Sequence, residues 1–167
     1  QRVRRSFPVI QITHIHHGGN SSGVVDGSAG LLLAPPEYGR SQGWKHRARI
    51  RAMANVAGSP ELMLNEPVPA ARKVLDKAGM DLKDIDLFEI NEAFAVVAYK
   101  FMRDLELDPE ICNVNGGAIA LGHPIAATGS VLIGIVLDEL ERRDLTTGLV
   151  TMCAAGGMAP AVIIERV

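Results

Sequence analysis

An α/β layered domain is the fold class that this 167-residue sequence predicts. Stretches with a helical apolar stripe alternate with short strands of mostly buried character, the pattern of helices packed on a sheet. Gly and Pro punctuate the boundaries between them. The core is aliphatic: 47% of residues are hydrophobic and 4% aromatic, against 22% charged. This length suits one well-buried domain and is too short for two.

Taken in order, residues 1–19 are irregular and end in "HIHHGG". "NSSGVVDGSAGLLLA" predicts a polar, glycine-rich turn followed by an apolar strand around Ala29–Ala34. "PPEYGRSQG" is a short helix opened by prolines, and "HRARIRAMANVAG" is a strand that sets Arg47, Arg49 and Arg51 on one solvated face. In "EPVPAARKVLDKAG" the prolines mark a helix start, Ala71, Val74, Leu75 and Ala78 share a face, and Gly79 is the C-cap. "DIDLFEI" is a strand; "NEAFAVVAYKFMRDL" is a helix with its stripe through Phe94, Val97 and Phe101. A long apolar helix runs from Thr128 to Arg143, and "GLVTMCAA" and "APAVIIERV" close the chain as strands around a Gly-Gly turn.

The formal net charge of −2 supplies no electrostatic case for nucleic acid. Two cysteines, Cys112 and Cys153, make no disulfide framework and point to a reducing, cytoplasmic setting. No apolar run approaches the roughly 18–20 residues that span a bilayer. The twin arginine of "QRVRRSFPVIQI" is not a secretion signal, because Gln11, Thr13 and the histidines break the apolar stretch after it. With no initiator methionine, the sequence starts like the middle of a longer chain.

"GGAIALGHPIAATGS", residues 116–130, sets one histidine among small residues that permit sharp turns and close approach. His123 lies between Gly122 and Pro124, biased towards an extended backbone just ahead of a helix. Its imidazole there is a proton shuttle, an N–H donor to a developing oxyanion, or a structural ring bonded to backbone. Cys153, at a strand end beside a glycine turn, is either a reachable thiol or an inert small hydrophobe. Cys112 fits a buried position with no sign of activation. Asn91, where a strand becomes a helix, is an N-cap or a ligand contact at a strand's carboxyl end. His14 and His16 share a side of an extended segment, but no nearby Cys, Asp or Glu completes a ligand set, so no metal is assigned. The glycine-rich run lacks the Gly-Lys-Ser/Thr ending of a phosphate cradle.

Four segments, in their order and approximate spacing, resemble the thiolases: "GGNSSGVVDGSA" (18–29), "NEAFA" (91–95), "NVNGGAIALGHPIAATGS" (113–130) and "CAAGGM" (153–158). The resemblance covers about residue 18 to the end and corresponds to the carboxyl-terminal half of a thiolase subunit. It implies a thiolase-like C-terminal domain, α/β/α layered on a mixed sheet, over residues 23–167. Residues 1–22 are then an irregular lead-in from the preceding part of the subunit.

The resemblance also implies acyl transfer to or from CoA, with Claisen condensation or thiolytic cleavage of a 3-oxoacyl-CoA. His123 would activate the nucleophilic cysteine and join an oxyanion hole, Asn91 would hold a water completing that hole, and Cys153 would move the α-proton. Ser22 would touch the pantetheine arm, Phe94 would line the pocket, Gly122 would be a further substrate- or CoA-binding residue, and the backbone N–H of Ala155 would join a second oxyanion hole. A thiolate near a polarising loop is the base expected at Cys153. CoA and acyl-CoA would be substrates, with no permanently bound cofactor and no metal. The partners implied are the N-terminal half of the subunit and further copies in a homodimer or tetramer.

Three departures stand out. The acylated cysteine lies upstream of this region, so the chain alone is expected to be inactive. Ala126 and Ala155 stand where glycine is usual. A β-ketoacyl synthase is disfavoured by Asn91 and Cys153; a non-catalytic CoA- or lipid-binding module is the alternative from another class.

Overall fold

A computed structural model describes residues 13–167; residues 1–12, with the twin arginine, lie outside the described residues. The helices are α1 (Pro36–Ser41), α2 (Pro67–Ala78), α3 (Ala95–Leu105), α4 (Ala118–Leu121) and α5 (Thr128–Arg143). The strands are β1 (Ala48–Ala57), β2 (Leu87–Ile90), β3 (Thr147–Thr151) and β4 (Met158–Arg166), in sheet order β1-β4-β3-β2. β4 runs antiparallel to both β1 and β3, while β2 and β3 are parallel, so the sheet is mixed.

Helices cover both faces. On one, α2 and α3 bring Ala70, Val74, Val97 and Phe101 against Phe88, Ile90, Leu149 and Ile163. On the other, α5 packs Leu132, Val136 and Leu140 over Leu87, Val150 and Ile164. Consecutive strand residues thus go to opposite faces, as a period of two requires. Every residue of β2 and β3 is buried, Glu89, Thr147 and Thr151 included, so neither strand keeps a solvent-facing side. The layered α/β/α arrangement is therefore the observed one.

Chain chemistry sets the element ends. Gly79 ends α2 at φ 65°, and Glu106 and Asp144 cap α3 and α5 in the same left-handed region. Arg47 reaches from the start of β1 to α5, with Nε 2.9 Å and Nη2 2.8 Å from the two carboxylate oxygens of Glu141. Arg49 forks onto Glu165 of β4, so the arginine face is solvated but also ion-paired.

Three local expectations give way. No strand forms around Ala29–Ala34: residues 25–35 are irregular, and Leu32 and Leu33 are 76% and 68% exposed. An apolar run becomes a strand only with a neighbouring edge to pair with, and none of the four strands takes it. α3 starts at Ala95, four residues later than "NEAFA" suggested, so Asn91 is not its cap. Phe94 takes the cap position with an extended backbone (φ −142°, ψ 148°) and leaves the helical stripe. Cys153 lies beyond the end of β3, in the turn to β4.

Candidate active site

The parallel pair β2 and β3 ends on one side of the sheet; Asn91 directly follows β2, and Cys153 comes after β3 with Met152 between. This is where α/β sheets place ligands, because the ladder has just released the chain. Asn91 N still donates to Thr151 O at 3.0 Å, extending the β2–β3 pairing by one residue. Asn113 holds the same strand end from its other side: its Oδ1 accepts from Ile90 N at 2.7 Å and its Nδ2 donates to Ile90 O at 2.8 Å. Glu92 then accepts from Asn113 Nδ2 and from Ile119 N, tying β2 to the glycine-rich run.

That run is small because side chains already fill the space around it. A Cβ at Gly117 would lie 2.2 Å from the Glu92 carboxyl carbon, and one at Gly122 would lie 2.5 Å from Val25 Cγ2. Gly122 also holds φ at 93°, a conformation only glycine takes without strain. The next residue, His123, is anchored by its backbone N–H, which donates to Gly23 O at 2.8 Å.

The imidazole is held from two sides. Asn91 Nδ2 donates to Nε2 at 3.3 Å, and Nδ1 lies 2.7 Å from Thr128 Oγ1 in the first turn of α5. In this arrangement the ring proton sits on Nδ1 and is donated to the hydroxyl. A hydroxyl both donates and accepts, so Thr128 supports either tautomer: one with a basic Nε2, one with an Nε2–H donor. Burial pushes the His123 pKa below its ordinary value, which favours the neutral ring that both roles need. Asn91 is 1% exposed, and its Oδ1 has no partner among the described residues.

A cavity of about 350 Å³ brings together Ser22, Phe94, His123, Cys153 and Ala155, five of the seven expected site residues. Met63, Met152 and Ile125 add an apolar lining. Asn91 and Gly122 do not line it; with Thr128 they border a small cavity of about 30 Å³. Asn91 still reaches His123 through the amide. Ser22 is pinned by Ala93 O, which accepts from its N–H and its hydroxyl, both at 3.1 Å.

The two cysteines separate. Burial, with Asp108 and Glu89 nearby, pushes the Cys112 thiol up to about 12, so it is an inert core group. Cys153 is also raised by burial, against a smaller lowering by its own backbone hydrogen bond. Burial thus works against the thiolate expected here: it favours the thiol, and a neighbouring base must take the proton of Cys153 before it can act.

Thr128, Asn113 and Met63 escaped the sequence reading. Thr128 had one usable signal, a hydroxyl five residues past His123 at a helix start; Asn113 and Met63 had none apart from the motif and loop around them. Among the described residues no group of three or more His, Cys, Asp or Glu side chains is placed to hold a metal.

The family model described as "Thiolase, C-terminal domain" matches residues 44–166. Acetyl-CoA acetyltransferase of Paracoccus denitrificans is 46% identical over 148 residues, which is 89% of this chain and 38% of that protein. A steroid 3-ketoacyl-CoA thiolase of Mycobacterium tuberculosis is 47% identical over 146 residues, 87% of this chain and 36% of that protein. The crystal structure of the Bacillus anthracis acetyl-CoA acetyltransferase superposes with a TM-score of 0.87 at 41% identity, covering 90% of this chain and 38% of that one. The chain thus spans well under half the length of the relatives it matches.

Proposed function

The chain belongs to the thiolase family, whose C-terminal domain it carries, and from that premise we propose that it is the carboxyl-terminal catalytic half of an acyl-CoA C-acyltransferase. In this reading the nucleophilic cysteine comes from the upstream half and takes the acyl group of the first acyl-CoA as a thioester, the bond to CoA breaking and the cysteine's proton passing through His123 to the departing CoA sulfur. Neutral His123 takes the proton from that cysteine and returns a hydrogen bond to the thioester oxygen. Cys153, once a neighbouring base has taken its thiol proton, removes the α-proton of the second acyl-CoA. The resulting carbanion attacks the carbonyl carbon of the acylated cysteine, forming the carbon–carbon bond and releasing the cysteine thiolate, which His123 can reprotonate. Thiolysis is the same path reversed.

Charge develops on the thioester oxygen during proton removal, and one fixed donor aimed there is worth about 3–4 kcal/mol. His123 lines the cavity and is suited to supply it, and the buried Asn91 bonded to it is suited to hold the water that completes the hole. Ala155 N–H is assigned to the second hole, with Ser22 and Phe94 against the pantetheine arm. The observation that carries the reading is the single cavity shared by Ser22, Phe94, His123, Cys153 and Ala155, drawn from all four sequence motifs.

The subunit's other half would cover Val24, Leu32 and Leu33, which stand exposed ahead of the matched domain. We place residues 1–22 with the end of that half, and assign the assembled subunit to a cytoplasmic homodimer or tetramer. Both cysteines being free and buried supports a reducing compartment.

Labelled acetyl-CoA tests the proposal in the complete subunit. Acylation of the upstream cysteine should survive Cys153→Ser, while condensation to a 3-oxoacyl-CoA should be lost. Binding of CoA without any acylation of the wild type would instead establish the non-catalytic module.

A further inference from the structure

The His-Ile-His-His run has no part in the chemistry above, yet the structure gives it a defined place. Asn20 folds the run back on itself: its Oδ1 accepts from His17 N at 2.8 Å and its Nδ2 donates to Ile15 O at 2.9 Å. The backbone of the same residue accepts from Ala95 N at 2.9 Å, and the adjacent Ser21 forms a bridge with Phe94. One asparagine thereby ties the turn to the start of α3. The result is a ring pair, His16 on Phe94, with centroids 4.8 Å apart and planes at 53°.

Phe94 needs such a support. Its extended backbone places it ahead of α3, where the half-buried side chain packs against the core with one side and stands in the cavity wall with another. His16 touches the ring without lining the cavity. We infer that His16 is a positioning residue for the acyl-CoA channel, holding the Phe94 ring in the one orientation that leaves the channel the width of a pantetheine arm. The inference rests on the thiolase reading of the cavity. Removing the imidazole frees Phe94 to turn outward, which loosens the grip on the pantetheine without moving His123 or Cys153. The effect therefore falls on KM and spares kcat.

The test compares His16→Ala and His16→Phe in the complete subunit with the wild type. In His16→Ala, KM for acetyl-CoA should rise about three- to tenfold, the factor a lost aromatic pair is worth, with kcat within twofold of wild type. His16→Phe should restore KM, because the ring and not the ionisable nitrogen does the propping. Crystal structures supply a readout independent of turnover: Phe94 should occupy more than one rotamer in His16→Ala and a single one in His16→Phe. A single wild-type Phe94 rotamer in His16→Ala overturns the inference, and so does a KM that stays unchanged or is not restored by phenylalanine. A wild-type subunit without acyl transfer would defeat the thiolase reading alone; the rotamers, and Kd for CoA in place of KM, would still decide the role of His16.

Discussion

Against α2 and α3 the sheet presents Phe88, Ile90, Leu149 and Ile163, and the helices answer with further apolar side chains. Against α5 it presents Leu87 and Val150 but also Glu89, with Asn91 at the strand's end; α5 brings buried Thr128 and Glu139 to the same side. Glu89 Oε2 and Asn91 Oδ1, both without hydrogen-bond partners among the described residues, lie two positions apart and so share that face. One face holds the domain together by burial alone. The other gives up part of that stabilisation to keep polar groups in low-dielectric surroundings, where hydrogen bonds and charges act most strongly.

If this division is right, substitutions on the two faces should fail in different ways. The largest effect is expected from Phe101→Ala, which empties a fully buried site: a loss of about 3–5 kcal/mol in chemical denaturation. In whatever fraction stays folded, acylation should be normal. Asn91→Ala should do the reverse: under the oxyanion role proposed for it, kcat of the complete subunit should fall by about 10²–10³, or roughly 3–4 kcal/mol. Equal losses of activity from both substitutions would erase the contrast.

Glu89 sharpens it through pH. Burial, with the Glu92 and Glu139 carboxylates nearby, raises its carboxyl from 4.5 to about 8. The native state therefore keeps a proton that the unfolded chain releases above its ordinary value. Stability should fall as pH rises from about 4.5 to about 8, by up to about 1.4 kcal/mol per pH unit, and flatten above that. Glu89→Gln should remove this slope in urea titrations at pH 5, 7 and 9; an unchanged slope would place its origin elsewhere.

Thr128→Val keeps the shape of the helix start but removes the hydroxyl from His123 Nδ1, and about a tenfold drop in kcat is expected. The smallest change belongs to Arg47→Ala. Its ion pairs with Glu141 and Asp138 are exposed, so the loss should stay below about 1 kcal/mol and shrink further in high salt.

Legibility followed the range of the interactions. α5 appeared in the sequence with its observed ends, Thr128 and Arg143, because an apolar run and a charged last turn are local signals. The Gly79 cap and the strand–turn–strand at the carboxyl end were legible for the same reason. Ala29–Ala34 has the composition of a strand but no partner edge among the four strands, and a strand needs one. Asn91 looked like a cap because it precedes a helical pattern, yet the strand ladder with Thr151 and the Asn113 side chain hold this region extended. The state of Cys153 depended on burial, which adjacent residues do not encode.

By itself, the sequence determined the class of the fold and most of its helices and strands, since propensity and periodicity act along the chain, and its four ordered motifs carried the resemblance to thiolases. Tertiary structure alone decided that His123 is braced by Asn91 and Thr128, that burial raises the Cys153 thiol, and that His16 rests on Phe94. Those outcomes depend on distances and dielectric surroundings set by residues far apart in the chain, and packing is what brings them together.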